Sequence, residues 1–162
     1  MERHTIGALT IGVEYRVITE AVVAASGVAE GPISVQGMND KGVSLHVYVK
    51  GPDGDLERLR FDCFEDDPHY HYVCWSAPWH DVIFFDNVAN GDLMVWALTC
   101  IRTRLPLMLA RAGFPNANQV VDQGQLEAAL PRVTEAAYRA RFHSDSESVT
   151  EAALSIGKRR RA

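Results

Sequence analysis

The sequence lacks the motifs by which the commonest enzyme classes are recognised. Its 162 residues contain no nucleophile elbow, no glycine-rich phosphate-binding loop, no dinucleotide fingerprint and no HExxH helix. Cysteine is scarce as well, and the three residues form no CxxC or CxxH pair, so we predict buried thiols in a reducing compartment. No internal repeat of about 20 to 50 residues is present, which favours a single domain.

A long apolar run without charges is also absent. The most apolar segment, residues 93–110, contains Arg102, Arg104 and Pro106, whereas a membrane span needs about 18 or more residues nearly free of charge. This segment is therefore predicted to be a buried helix. No secretory or transit sequence is visible at the start of the chain, so we expect a cytoplasmic protein without a membrane partner.

Positive charge is scarce outside the last residues. The formal net charge is −5, and four of the sixteen Lys and Arg residues lie at positions 158–161, so the rest of the chain carries −9. Binding of the domain body to nucleic acid is therefore not expected. The basic tail is expected to be solvated, the alternative being that it binds an acidic patch.

The patterns that are present predict an α+β protein. Strand-like alternation dominates the first half, for example at Ile11, Val13, Tyr15 and Val17, and helical spacing dominates the second half. We predict an antiparallel β-meander of about four to six strands in the N-terminal half, packed against C-terminal helices. Residues 1–143 would form this single domain, and residues 144–162 a separate amphipathic helix with the basic tail.

The individual elements follow from turn and capping signals. Turns are predicted at residues 39–42 and 52–54, a short strand at residues 82–85, and helices over residues 92–112 and 123–142. Pro106 should kink or divide the first helix, and Pro131 starts a new helix or kinks a longer one. Residues 19–26 fit a short helix or a strand equally well.

The turn at residues 52–54 predicts how its two strands pair. A three-residue loop places Leu45 opposite Phe61 and Val47 opposite Leu59, so that one side of the hairpin is apolar. The other side then pairs His46 with Arg60 and Tyr48 with Arg58. A loop with an even number of residues would mix apolar and polar side chains on both faces.

The next turn, residues 65–68, extends the same polar face to a third strand. Four turn residues would place Asp62 opposite His71 and Phe64 opposite His69. This separation of faces fails if the turn contains an odd number of residues. The residues predicted to share the polar face are His46, Tyr48, Arg58, Arg60, Asp62, His69 and His71.

The two histidines of this face suggest a metal site. His69 and His71 stand at i and i+2, on one side of a strand, where both imidazoles could reach one divalent ion, with Asp62 or His80 as a third ligand. No cofactor is otherwise expected, and a divalent metal is the possible exception. The alternative is an ordinary solvated sheet face, because the pattern occurs often by chance.

The same face could instead carry out acid–base catalysis without a metal ion. Asp62 would orient His71 and raise the pKa of the imidazole towards neutrality, so that His71 acts as the catalytic base. Arg58 and Arg60 would hold a carboxylate or a phosphate. The alternative is a surface ladder of cross-strand ion pairs.

Aromatic residues point to a second surface. Residues 61–85 hold eight of the fourteen aromatic side chains, and Trp75, Trp79 and His80 surround a Ser-Ala-Pro loop that could wall a pocket or anchor a partner. The alternative is that the indoles cap the core. No motif resembles a known family closely enough to transfer a function.

Two functional hypotheses follow from these residues. The first is a small binding protein or accessory subunit that binds a small anionic or aromatic ligand, or forms a homodimer, through the polar face and the Trp loop. Its partners would be a small molecule, another protein or a second copy of the chain. The second is a small isomerase, lyase or hydrolase that uses His71 and Asp62.

Overall fold

Six antiparallel strands form one open sheet whose strand order follows the chain. The computed structural model describes residues 1–25, 37, 39–75 and 81–142, together with the helical backbone of residues 143–159. The strands are β1 Glu2–Ile6, β2 Leu9–Thr19, β3 Asn39–Gly51, β4 Gly54–Phe64, β5 His69–Tyr72 and β6 Asp81–Phe84. The sheet with its C-terminal helices confirms the predicted α+β fold class.

Five helices accompany the sheet in the described part of the chain. They are α1 Glu20–Ala25, α2 Asn87–Asn90, α3 Leu93–Arg111, α4 Ala117–Val120 and α5 Gln123–Arg159. Residues 20–25 are thus helical, which decides between the two structures that the sequence allowed. Asp92 begins α3 by accepting a hydrogen bond from the Val95 amide at 3.1 Å. Gly113, with φ of 79°, follows its C-terminus as predicted.

The core lies between one face of the sheet and the two long helices. Alternate residues of the central strands are fully buried because successive side chains of a strand point to opposite faces. Helix α3 packs on β4 and β5, and α5 packs on β1, β2 and β3. Buried strand residues of this core include Ile11, Val13, Leu45, Val47, Leu59 and Phe61.

Neither proline divides its helix, which leaves a kink as the remaining alternative of each prediction. Helix α3 runs through Pro106 without being divided, and α5 contains Pro131 in its interior. The helical backbone of α5 also includes residues 143–148, which have the composition of a linker. The predicted boundary at residue 143 therefore falls inside a helix, and a functional division of the chain there stays a prediction.

Helix α3 is long and apolar enough to cross a membrane by length and composition alone. One such helix is weak support for a membrane span, because the core helix of a folded domain passes the same test. Here α3 contributes core residues along its whole length, from Leu93 and Met94 to Met108 and Leu109. The prediction of a buried helix is confirmed, and a cytoplasmic location stays a prediction.

The turn predicted at residues 39–42 is wrong. These residues begin β3 and pair with the end of β2, with Asn39 opposite Thr19 and Gly42 opposite Arg16. A side chain at Gly42 would meet the Cys63 carbonyl oxygen at 2.3 Å, so glycine is required by the close approach of β4. The Gly in this segment therefore reflects strand packing, although its surroundings in the sequence resemble those of a turn.

The hairpin between β3 and β4 has the predicted register far from its loop and a different register next to the loop. Gly51 pairs with Gly54, so the loop has two residues and not three. A β-bulge at Arg58 then restores the predicted pairs, including Val47 with Leu59. With one extra residue between them, Leu56 and Leu59 stand opposite Val49 and Val47, two core residues on the same side of β3.

The connection between β4 and β5 is longer than predicted but has the same parity. Asp62 pairs with His69, which leaves six residues between the partners in place of four. The carboxylate of Asp40 shapes this turn by accepting backbone hydrogen bonds from Glu65, Asp66 and Asp67 at 2.9–3.1 Å. Since both numbers are even, the histidines stay on the predicted face.

Candidate functional site

Two rows of paired residues build a polar face on the side of the sheet away from α3 and α5. Residues directly opposite each other in an antiparallel sheet point to the same side. One row consists of Glu14, Ser44, Asp62, His69 and Phe84, and the next of Gly12, His46, Arg60, His71 and Val82. We call the following nine side chains the histidine face: Glu14, Arg16, Ser44, His46, Glu57, Arg60, Asp62, His69 and His71.

Asp62 is the centre of the histidine face and is only 2% exposed. Its Oδ1 accepts hydrogen bonds from Ser44 Oγ at 2.6 Å and from an Arg16 nitrogen at 3.1 Å. Its Oδ2 accepts one from Arg60 Nε at 3.0 Å. Burial alone would raise the pKa of Asp62, but hydrogen bonds from both neighbouring histidines and the charge of Arg60 hold it well below its usual range.

His69 is oriented by its backbone as well as by Asp62. Its Nδ1–H donates to the carbonyl oxygen of Asp67 at 2.6 Å, and its Nε2 lies 3.4 Å from Asp62 Oδ2. Burial opposes protonation, but the hydrogen bonds to Asp62 and to the carbonyl prevail and raise the pKa of His69. A proton or a metal ion must lie between Nε2 and the carboxylate, because two lone pairs would otherwise face each other.

The pKa of His71 moves in the opposite direction, because the raising effect of Asp62, which was expected, is outweighed by other contributions. Its Nε2 lies 3.1 Å from Asp62 Oδ2 and 3.1 Å from a terminal nitrogen of Arg60. Burial, together with the charges of Arg60 and His69, lowers the pKa of His71 despite the hydrogen bond to Asp62. The lowered pKa favours the neutral imidazole, and its buried Nδ1 has no hydrogen-bond partner among the described residues.

His46 lies beside this centre and connects two further carboxylates. Its Nδ1 is 2.5 Å from Glu57 Oε1, and its Nε2 is 3.2 Å from Glu14 Oε1 without forming a hydrogen bond. Burial raises the pKa of Glu57, but the hydrogen bond from His46 and the charge of Arg60 lower it overall. Tyr48 stacks on His46 at 6.0 Å, so both predicted residues lie on this side of the sheet.

Arg58 does not lie on the histidine face, so its predicted place there is wrong. As the extra residue of the bulge, it turns its guanidinium towards the helix side, 5.6 Å from the Phe114 ring centroid. Arg60 keeps its predicted place, where it contacts Asp62, His71 and Glu57. The pair of arginines expected to hold an anion is therefore not assembled.

The Trp loop is described only in part. The Trp75 side chain is 58% exposed, and its indole N–H donates to the Glu57 carbonyl oxygen at 2.7 Å. Trp79 and His80, predicted as binding residues, lie outside the described residues. A cavity on the helix side is lined in part by Cys63, Asp92 and Arg141, and none of the predicted site residues that the structure describes lines it.

Three side chains of the histidine face have the geometry of a metal-binding group. The ligand atoms of Asp62, His69 and His71 all lie within 4.8 Å of one another. An ion about 2.1 Å from each of its ligands separates tetrahedral ligand atoms by about 3.4 Å. The two Nε2 atoms lie 3.1 Å and 3.4 Å from Asp62 Oδ2, so these two of the three ligand separations fit such an ion.

Sequence reasoning missed three charged members of the histidine face. Glu14 and Arg16 are visible as the polar positions of the alternation in β2, but the pairing of β2 with β3 was not predicted. The register that a three-residue loop implies puts Glu57 opposite Val49, whereas the bulge places it opposite Tyr48. Recognising the spacing of Leu56 and Leu59 would have located Glu57 correctly.

The part of the chain that contains the histidine face matches a known protein family. Residues 4–137 match a protein family described as a domain of unknown function, DUF7700. No curated protein and no solved structure matches the chain. The matched range covers most of the 162 residues and includes Asp62, His69 and His71. The chain therefore belongs to the DUF7700 family.

Proposed function

We propose that this protein binds a divalent transition-metal ion through Asp62, His69 and His71. The observation that carries the proposal is that both Nε2 atoms converge on one carboxylate oxygen, Asp62 Oδ2. Histidines that bind metal commonly donate their other ring N–H to a carbonyl oxygen, as His69 does to Asp67. Three protein ligands leave coordination positions open for a small molecule.

The charge of the histidine face favours a cation over an anion. Its three carboxylates are Glu14, Glu57 and Asp62, against two arginines. Both arginines already donate to Asp62, so their positive charges are directed at this carboxylate. A small binding protein therefore remains the first hypothesis, with its ligand class changed from an anion to a divalent cation.

The experiment is a zinc titration of the purified protein against a chromophoric chelator. Loss of either imidazole, in His69→Ala or His71→Ala, should weaken zinc binding by more than about 100-fold, since outer partners of a metal site alone account for up to that factor. His4→Ala is the control, because His4 lies on β1 outside the histidine face, where its imidazole pairs with Glu2. Zinc affinity that is unchanged in both variants contradicts the proposal.

Acid–base chemistry by His71 and Asp62 is a second candidate. It is favoured by the unpartnered Nδ1 of a neutral imidazole whose other nitrogen meets a carboxylate. A base requires the tautomer in which Nε2–H donates to Asp62. Nitrogen-15 chemical shifts of the His71 ring in metal-free protein test this, and a proton found on Nδ1 at pH 7 speaks against the base.

A homodimer is a separate proposal that rests on β6. This strand forms the edge of the described sheet, and its Val82 and Phe84 are exposed hydrophobic residues. Phe84→Lys should then reduce the mass measured by light scattering to that of a 17.9 kDa monomer. Leu107→Lys, at an exposed position on α3, is the control. A wild-type protein that is already monomeric at high concentration refutes this proposal.

A further inference from the structure

Arg60 contacts two of the three side chains proposed to bind the metal. Its Nε donates to Asp62 Oδ2 at 3.0 Å, and one of its terminal nitrogens lies 3.1 Å from His71 Nε2. The guanidinium thus lies beside the space between these two atoms. That space is also where an ion bound to both of them would lie.

A guanidinium and a metal ion cannot share this position. An arginine side chain keeps its positive charge under physiological conditions, and it repels a divalent ion at short range. Its nitrogens also lie 3.0 Å from Asp62 Oδ2 and 3.1 Å from His71 Nε2, the two atoms that would bind the ion. Metal binding to this group therefore requires the Arg60 side chain to move.

Glu57 offers Arg60 a second position. A terminal nitrogen of Arg60 already lies 3.7 Å from Glu57 Oε2, and the two side chains are 23% and 17% exposed. A small rotation of the guanidinium away from Asp62 could shorten this ion pair. The charge of Arg60 would then remain compensated after a metal ion had taken its place.

We propose that Arg60 is a built-in competitor of the metal ion. In the metal-free protein its guanidinium neutralises Asp62, and on metal binding it turns from Asp62 and His71 to Glu57. The inference rests on the proposed metal site and adds a regulatory step to it. Its consequence is that the protein binds metal more weakly than its three ligands alone would.

Arg16 provides a matched comparison within the same cluster. It also donates to Asp62, at 3.1 Å, and it has a second carboxylate partner in Glu14 at 3.8 Å. Its hydrogen bond, however, goes to Oδ1, the oxygen that does not face the histidines. Arg16 and Arg60 therefore each bring one positive charge next to Asp62, but only Arg60 lies at the proposed metal position.

The test measures zinc dissociation constants of the full chain, of Arg60→Gln and of Arg16→Gln by chelator competition. Arg60→Gln should bind zinc about tenfold more tightly or better, an effect of the size that outer partners of metal sites exert. Arg16→Gln should tighten zinc binding clearly less than Arg60→Gln does, because Arg16 donates to Oδ1 and does not contact the histidines. Equal effects of the two variants would indicate a general charge effect and overturn the inference, as would an unchanged affinity of Arg60→Gln.

Two further outcomes separate this inference from the proposed function. Zinc that binds neither the wild type nor Arg60→Gln overturns the metal site, and the inference with it. Zinc that binds the wild type through His69 and His71, but no more tightly after Arg60→Gln, overturns the inference alone. If Arg60→Gln does not fold, the inference is tested by NMR on the wild type, through the resonance of the Arg60 Nε–H. A shift on addition of zinc supports displacement, and an unchanged resonance contradicts it.

Discussion

Replacing Asp62 by asparagine should destabilise the protein more than any other single loss of charge on the histidine face. Removing one partner of a buried ion pair costs about 3 to 5 kcal/mol because the other charge is left uncompensated. Here Arg16 and Arg60 are 29% and 23% exposed, and each keeps a second carboxylate, Glu14 at 3.8 Å and Glu57 at 3.7 Å. We therefore expect the lower end of that range, about 3 kcal/mol.

Urea unfolding followed by circular dichroism measures this loss. With a slope of about 2 kcal/mol/M for a chain of this size, Asp62→Asn should lower the midpoint by about 1.5 M. Asp55→Asn is the matched control, because Asp55 pairs with Arg3 at 3.0 Å on the same side of the sheet, with side chains 36% and 44% exposed. Its loss should stay below about 1 kcal/mol. Equal midpoints for the two variants would refute the account of Asp62 as a buried charge centre.

Three further predictions concern the pH response and the framework of the site. The pKa of Glu57 is lowered in the folded protein, so its stabilisation is complete above the unfolded pKa of about 4.3 and is lost as the pH falls through the lower folded value. The difference in unfolding free energy between wild type and Glu57→Gln should therefore be constant from pH 6 to 7 and shrink below about pH 4.3. Asp40→Ala should cost about 2 kcal/mol or more and speed amide hydrogen exchange at residues 65–67, and unchanged exchange there contradicts the role of this carboxylate. Gly42→Ala should lower the unfolding free energy by about 1 to 3 kcal/mol, because its Cβ would lie 2.3 Å from the Cys63 carbonyl oxygen, and a neutral thermal melt would refute this.

The fold was predictable because hydrophobic alternation and turn parity carry most of the information in a meander. The pairs Leu45 with Phe61 and Val47 with Leu59 were predicted by matching apolar residues, and both occur. The β4–β5 connection was predicted two residues too short. Because the error is even, it moved Asp62 from His71 to His69 without changing the face of any side chain.

Features that depend on distant contacts were not predictable from local patterns. Asp40 has the neighbours of a turn residue in the sequence, yet it is 7% exposed and binds amides about 25 positions away, at residues 65–67. Arg58 fits the polar alternation of β4, and only the pairing of Leu56 with Val49 reveals the bulge that turns it away. In both cases the deciding partner lies on another strand.

The electrostatics of the two histidines could not be derived from residue types. His69 and His71 both contact Asp62, and the sequence alone gives no reason for their pKa values to move in opposite directions. The difference arises because His69 also donates to the Asp67 carbonyl, while His71 faces Arg60. Both contacts are atomic distances of about 3 Å, whereas a predicted register tells only which residues lie opposite each other.

The metal site is tested most directly by locating the ion. Crystals grown with zinc and measured at its absorption edge should show one anomalous peak about 2.0 to 2.2 Å from His69 Nε2, His71 Nε2 and an oxygen of Asp62. A saturating zinc concentration that leaves this position without a peak, with Arg60 still donating to Asp62, would contradict the central claim.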